Sequence, residues 1–309
     1  MINRRMLRQA LPFISLAIVL AATFYVNPRT MSYFGLNLML QYAVPIALAT
    51  IAQMFIITVN DLDLSIGPFV GLVSCIGATL LFENPAVGIV ALLALIAAYG
   101  AVGALIHVRN LPSIVVTLGL SFVWAGVAVI LLPSPGGKAP DWLKAVMGMQ
   151  TPGVPFPIVA AVIIGVVVHL ALMLSSYGVI ARGAGGNPKA LSRAGWSMLR
   201  TKIAMYMLAG FFGVLSGLSL LGLTTAGDAH VADRYTLYSI AGVILGGGEF
   251  IGGRVSPLGA VVGALTLALA GAFLIFLRIS PDWQIGAQGA ILIIVLALRA
   301  LVTYGEQKR

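Results

Sequence analysis

Carboxylates do much of the chemistry available to proteins at neutral pH, and this sequence has few: 9 Asp plus Glu in 309 residues. Two of them, Asp61 and Asp63, stand two positions apart in NDLDLSIG (60–67), between long apolar stretches. Inside a membrane, facing a cavity, such a pair would hold a proton or a cation. At a junction between two helices it has a structural task, because a carboxylate suits the positive N-terminal end of the helix dipole. The first reading describes an ion-driven carrier. The second expects Asp63 or Ser65 to cap the following helix, whose first turn holds Gly67 and Pro68. The depth of Asn60, Asp61, Asp63 and Ser65 decides between a junction and a lining of the transport route.

Other chemistries find less support. His107, His169 and His230 are far apart, the single cysteine Cys75 lies in an apolar run, and no C-x-x-C or His-rich cluster suggests a metal. An intramembrane enzyme needs a nucleophile–base pair or metal ligands within spans. His169 is the one histidine well inside a span, and it has no partner nearby in sequence. There is no G-x-x-x-x-G-K-[ST] loop and no dinucleotide fingerprint in the right context, so any use of nucleotide runs through a partner.

The elements that must position these residues are apolar helices. The chain is 60% hydrophobic and 9% charged, with a mean hydropathy of +1.04. A soluble domain carries roughly a quarter charged residues; this composition describes a polytopic all-α protein whose solvent is lipid. At about 20 apolar residues per crossing, about ten spans are expected, at 8–26, 38–58, 66–82, 87–107, 113–132, 156–174, 202–222, 235–247, 255–276 and 284–303. The eighth is short and Gly-rich and is open to a re-entrant reading. The basic, apolar N-terminus has the look of a signal peptide but no clean A-x-A site, and is read as a retained first span.

Net charge is +9, which in this setting reflects loops on one membrane face rather than nucleic acid. With the N-terminus inside, 13 of the 18 Lys and Arg fall on the cytoplasmic side, so both termini are expected there. The whole chain, 1–309, reads as a single transmembrane domain with two larger loops. One, 133–155, is external and holds DWLKAVMGM as a short surface helix. The other, 175–201, is cytoplasmic and basic. IGPFVGLVSCIGATLL (66–81) and VSPLGAVVGALTLALA (255–270) share a Pro in the first turn, a faint internal echo.

The cytoplasmic loop contains ARGAGGNPKALSRAGW (181–196). Asn187 is a good N-cap, Pro188 a good first helical residue and Gly195 a good stop, so 188–194 is expected as a two-turn helix. Glycines 183, 185 and 186 would set it apart from the preceding span. Such a helix is a knob that can fit a partner's groove, or simply a solvated loop that obeys the positive-inside rule.

This loop resembles the coupling segment of permease subunits of bacterial ABC importers of the ribose-type sugar class, with Gly185, Gly186, Asn187 and Ala190 on the family's pattern and Gly195 a little displaced from it. NDLDLSIG is similar to the family's G-G-I-D-L-S-V-G, LPSIVVTLG (111–119) to its L-P-x-F-I-V-T-L-G, and YSIAGVILGGGEFIGG (238–253) to its Gly-rich segment, all in family order. The chain departs at Asn60-Asp61, at Glu249, where a small polar residue is usual, and at Arg254-Val255-Ser256.

The resemblance implies an inner-membrane subunit without a catalytic centre or cofactor of its own. Two permease subunits, alike or not, would form the pathway. Cytoplasmic ATPase subunits would use ATP and Mg, and a periplasmic binding protein would deliver a monosaccharide or related polyol. Gly186, Asn187, Pro188, Lys189, Ala190, Arg193 and Gly195 would then carry ATPase coupling. Arg182, Lys189 and Arg193 either meet acidic groups on the ATPase or are solvated.

A neutral polyol needs hydrogen-bond partners but no counter-charge. The residues within spans that could supply them are Gln41, Gln53, Thr58, Ser74, Thr117, Ser121 and Gln288, although Ser and Thr also bond their own helix. An ion-coupled secondary carrier and a branched-chain amino acid permease remain as alternatives.

Overall fold

The computed structural model describes residues 4–250 and 252–278, with Trp283, Gly286, Gly289 and Ala290. Apart from Gly286, Gly289 and Ala290, the expected tenth span, 284–303, lies outside the described residues, and so does Gln288. Among these, every regular element is helical: α1 (Arg4–Val26), α2 (Tyr33–Leu40), α3 (Ala43–Thr58), α4 (Ile66–Ala78), α5 (Leu80–Glu83), α6 (Pro85–Val108), α7 (Ser113–Leu131), α8 (Asp141–Met147), α9 (Phe156–His169), α10 (Ser176–Gly186), α11 (Pro188–Arg193), α12 (Met198–Thr224), α13 (Tyr235–Leu245) and α14 (Pro257–Phe276). A π turn, Leu170–Leu174, extends α9.

Six of the described helical segments are long and apolar enough to cross a membrane, or seven if α2 and α3 form one bent span. The protein is therefore a polytopic helical membrane protein. The first nine expected spans each coincide with a helix, though Ala10–Val26 and Tyr235–Leu245 are shorter apolar stretches. The second expected span, 38–58, takes in the end of α2 and all of α3, and the two helices meet at 41°. Pro45 in the first turn of α3 accounts for the break, since it has no N–H for the carbonyl of Gln41.

All 16 residues of α3 are buried. A largely apolar helix with no exposed face belongs at the centre of a bundle, and α9, α12, α13 and α14 surround it. By contrast α6, α7 and α9 keep outward apolar faces, with Val90, Val115, Phe122 and Ile163 exposed, as lipid contact requires. Helices α13 and α14 cross at glycines: a Cβ on Gly246 or Gly259 would overlap the backbone of the other, and Gly242 and Gly263 meet one turn on. Small residues four apart permit this close approach.

The loops gather at two ends. One end, here the junction end, joins 59–65, 175–197 and 246–256. At the other, Gly136 pairs with Gly227, Lys138 N–H donates to Ala78, and Tyr33 Oη–H donates to Thr151. DWLKAVMGM does form a helix there, α8, anchored by buried Leu143.

Candidate functional site

NDLDLSIG folds at the junction end between α3 and α4, and nearly every backbone N–H in it has a partner. Asn60 and Asp61 donate to Ile57 and Ile56. Leu62 N–H donates to Ser113 Oγ at 3.1 Å, and Leu64 N–H to Thr117 Oγ1 at 3.1 Å. The Gln53 amide, oriented to satisfy both groups, donates to Asp63 O at 3.0 Å and accepts from Asp63 N at 3.1 Å. Such pairing is what lets irregular backbone exist inside a membrane protein.

Asp63 is 1% exposed. Its Oδ1 accepts from Ser65 N and Ser65 Oγ, each at 2.7 Å, and its Oδ2 accepts from Tyr99 Oη at 2.8 Å. The expected capping by Asp63 or Ser65 is corrected here. Ser65 occupies the N-cap position without a side-chain cap bond. Its hydroxyl turns back to Asp63, and the first-turn N–H of Gly67 donates instead to Thr236 Oγ1 of α13 at 3.0 Å. Asp61 is ion-paired with Lys202 at 2.7 Å and accepts from Tyr206 Oη at 3.1 Å. Both aspartates thus face donors already in place.

The same end holds a joint without spare volume. Asn60 adopts φ 65°, a left-handed conformation that Asn tolerates, and its Oδ1 accepts from Gly252 N at 3.1 Å. Gly253 N donates to Thr58 O at 3.0 Å. A Cβ on Gly185 would overlap the Thr58 carbonyl and stand 2.7 Å from Gly253 N; one on Gly252 would stand 2.8 Å from Asn60 Cβ and from Gly185 Cα. Three segments distant in sequence meet here: NDLDLSIG, ARGAGG and EFIGG.

Beyond the joint, α11 matches its expected signals. Asn187 Oδ1 accepts from Ala190 N at 3.0 Å, with Pro188 at the first position. Gly195 is at φ 82°, and bonds from Gly195 N to Ser192 and from Trp196 N to Leu191 close the C-terminus as a Schellman motif. Leu191 is buried, while Lys189, Ala190 and Arg193 face outward. The glycines expected to separate α11 from the previous span lie instead within α10, where Gly185 has to be bare. Arg182 does not project with Lys189 and Arg193. Its guanidinium turns into the bundle, towards Met173 O and S and Gly178 O.

The polar residues expected along a pathway divide by place. Gln53 and Thr117 hold the junction. Thr58 Oγ1 bonds Met54 O in its own helix, and Ser121 Oγ bonds Leu118 O. Ser74 Oγ is buried without a partner among the described residues. Gln41 lines a cavity of about 470 Å³ at the opposite end, with Tyr42, Thr224, Arg234, Tyr235 and Tyr238. Tyr235 and Tyr238 have ring centroids 6.5 Å apart, and Arg234 shares the cavity wall with them.

Sequence reasoning missed Lys202, Tyr99, Tyr206 and Thr236 as partners of the junction. A weak signal existed for two of them. Lys202 and Tyr206 are four apart, on one face of a helix, and a lysine at the start of a span needs a partner. Among the described residues no group of three or more His, Cys, Asp or Glu could hold a metal ion.

The chain matches a family model described as branched-chain amino acid transport system / permease component over residues 35–296. It is 32% identical over 281 residues to the "probable ABC transporter permease protein YphD" of Escherichia coli, covering 87% of this chain and 82% of the relative. It is 27% identical to the ribose import permease protein RbsC of Bacillus subtilis (93% and 91% covered), and 26% identical to the galactose/methyl galactoside import permease protein MglC of Escherichia coli (96% and 95%). No solved structure matches. With most of its length matched by the family model, the chain belongs to the branched-chain amino acid transport system permease family.

Proposed function

We propose that this chain is the membrane permease subunit of an ATP-driven bacterial importer for a monosaccharide or related small polyol. The observation that carries the reading is the seating of α11: a capped helix with a basic outward face, joined through Gly185 and Gly253 to the end of the fully buried α3. Relatives named for ribose and galactose import support the substrate class. In this reading the protein sits in the inner membrane with ten spans and both termini inside. The junction end is cytoplasmic and receives ATPase subunits, which use ATP and Mg. A second permease subunit completes the pathway, and a periplasmic binding protein delivers substrate at the other end.

The cavity at Gln41 then lies on the outer side. Its volume suits a small ligand, its tyrosine rings offer apolar faces with polar tips, and Gln41 adds a neutral donor and acceptor. Asp61 and Asp63 brace the junction and do not relay ions. The test is co-expression with candidate ATPase and binding-protein subunits from the same organism, followed by uptake in proteoliposomes. The reading predicts a co-purifying complex and sugar uptake that requires ATP. Uptake that continues without the ATPase and collapses with an ionophore would overturn it.

A further inference from the structure

We infer that the exposed face of α8 is a membrane-binding surface, laid into the boundary between lipid headgroups and acyl chains with Trp142 immersed in it. The helix has three faces. Leu143 and Met147, four apart, turn into the bundle: Leu143 packs with Ala78 and Leu221, and Met147 closes on Gly222. Asp141 and Lys144, three apart, pair with each other at 2.7 Å. Trp142 and Val146, again four apart, form the third face. Trp142 is 56% exposed, where its neighbour Leu143 is 5% exposed.

The third face runs on into the lipid-facing surface of the bundle. A cavity of about 550 Å³ has Trp142 on one wall and Phe82, Pro85 and Ile89 of α5 and α6 on the other. Phe82 and Ile89 are exposed, and Val90 and Leu93 extend the same apolar surface along α6. One candidate span ends at Glu83 and the next begins at Pro85, so the exposed Glu83 and Asn84 mark the edge of the hydrocarbon. Sharing a cavity with Pro85 and Ile89 places Trp142 beside the first turns of α6, which rise about 6 Å between those residues. Interfacial helices sink their apolar faces roughly 5–10 Å into the boundary.

The surface fits lipid better than protein. Among the described residues on the cavity wall the one carboxylate is Asp141, already paired with Lys144, so the cavity offers hydrocarbon and no net charge. That suits an acyl chain. An indole suits the boundary above it, with its ring among the chains and its N–H towards the headgroups. The surface is carried by bulky side chains, whereas close helix contacts within membranes favour small ones. A soluble partner would have to dock on a face that continues down α6 into the membrane. The leaflet is the outer one in the orientation proposed above; the surface itself does not depend on transport.

The test places the full-length protein in nanodiscs of phosphatidylcholine that is unbrominated, brominated near the headgroup or brominated near the chain ends, and reads tryptophan fluorescence. The same measurement on Trp142→Phe, subtracted, isolates Trp142 from Trp124, Trp196 and Trp283. The isolated signal should be quenched about twofold more by the shallow bromines than by the deep ones, and iodide in the water should quench it little. Quenching by iodide with none from either brominated lipid would put α8 in water. Protection from all the quenchers would mean that protein covers it, a second copy included. Either result would overturn the assignment, and neither bears on the proposed uptake.

Discussion

The two ends of the bundle are built on opposite terms. At the junction end, Gly185 closes against Thr58, Gly252 against Asn60 and Gly253 against Arg182 and Gly186, with no room for a methyl group. At the other end, the same central helix α3 begins beside a cavity of about 470 Å³ with tyrosines and Gln41 on its wall. One helix therefore has a clamped end and an open end. Packed interiors are stiff, so in the proposed importer a displacement of α10 and α11 would pass into α3, and the open end would be the place to take a ligand. The contrast separates residues whose bulk matters from residues whose polar groups matter.

Substitutions should divide along the same line. The largest effect is expected where backbone meets backbone: Gly259→Val inserts a side chain into Gly246, at the C-terminal end of α13, and should destabilise the protein by about 3 kcal/mol or more. Loss of monodisperse protein in size-exclusion chromatography would show it. Next comes the Asp61–Lys202 pair, whose side chains are 9% and 13% exposed. Lys202→Met leaves a carboxylate with Tyr206 alone and should cost about 2–4 kcal/mol, read as a fall in apparent melting temperature. Adding Asp61→Asn should recover part of that loss; a double variant as unstable as the sum of the singles would remove the pair from the account.

Smaller changes are expected at the surface. Asn187→Ala with Pro188→Ala removes the cap of α11, worth about 1 kcal/mol. Stimulation of the ATPase by substrate should weaken while the permease still inserts and stays folded. Smallest of all for stability is Gln41→Ala, which should leave the melting temperature within about 0.5 kcal/mol equivalent and raise KM for uptake. A fall in melting temperature with KM unchanged would make Gln41 a packing residue and erase the contrast between the two ends.

Much of this was legible from residue types alone. The apolar runs located the helices to within a few residues, because lipid permits few alternatives to a helix. Asn187, Pro188 and Gly195 announced α11, since capping is local in sequence. What was not legible is what long-range packing decides. Gln53 and Thr117 looked like pathway residues because a polar side chain in a span needs a partner; only the fold shows that partner to be the backbone at Leu62, Asp63 and Leu64. Capping of α4 was assigned to the adjacent Asp63 or Ser65, but Thr236, 169 positions away from Gly67, provides it. The glycines of ARGAGG read as a flexible break, and their real constraint is Thr58 on another helix.

In the proposed importer, the glycine joint carries work from the ATPase side into α3. The most direct measurement is the ratio of sugar transported to ATP hydrolysed by the reconstituted complex carrying Gly185→Ala. The account predicts that the complex assembles, hydrolysis continues and the ratio falls severalfold, because the added methyl forces α10 away from Thr58. A ratio equal to that of the unaltered complex, with the substituted chain folded and assembled, would contradict it.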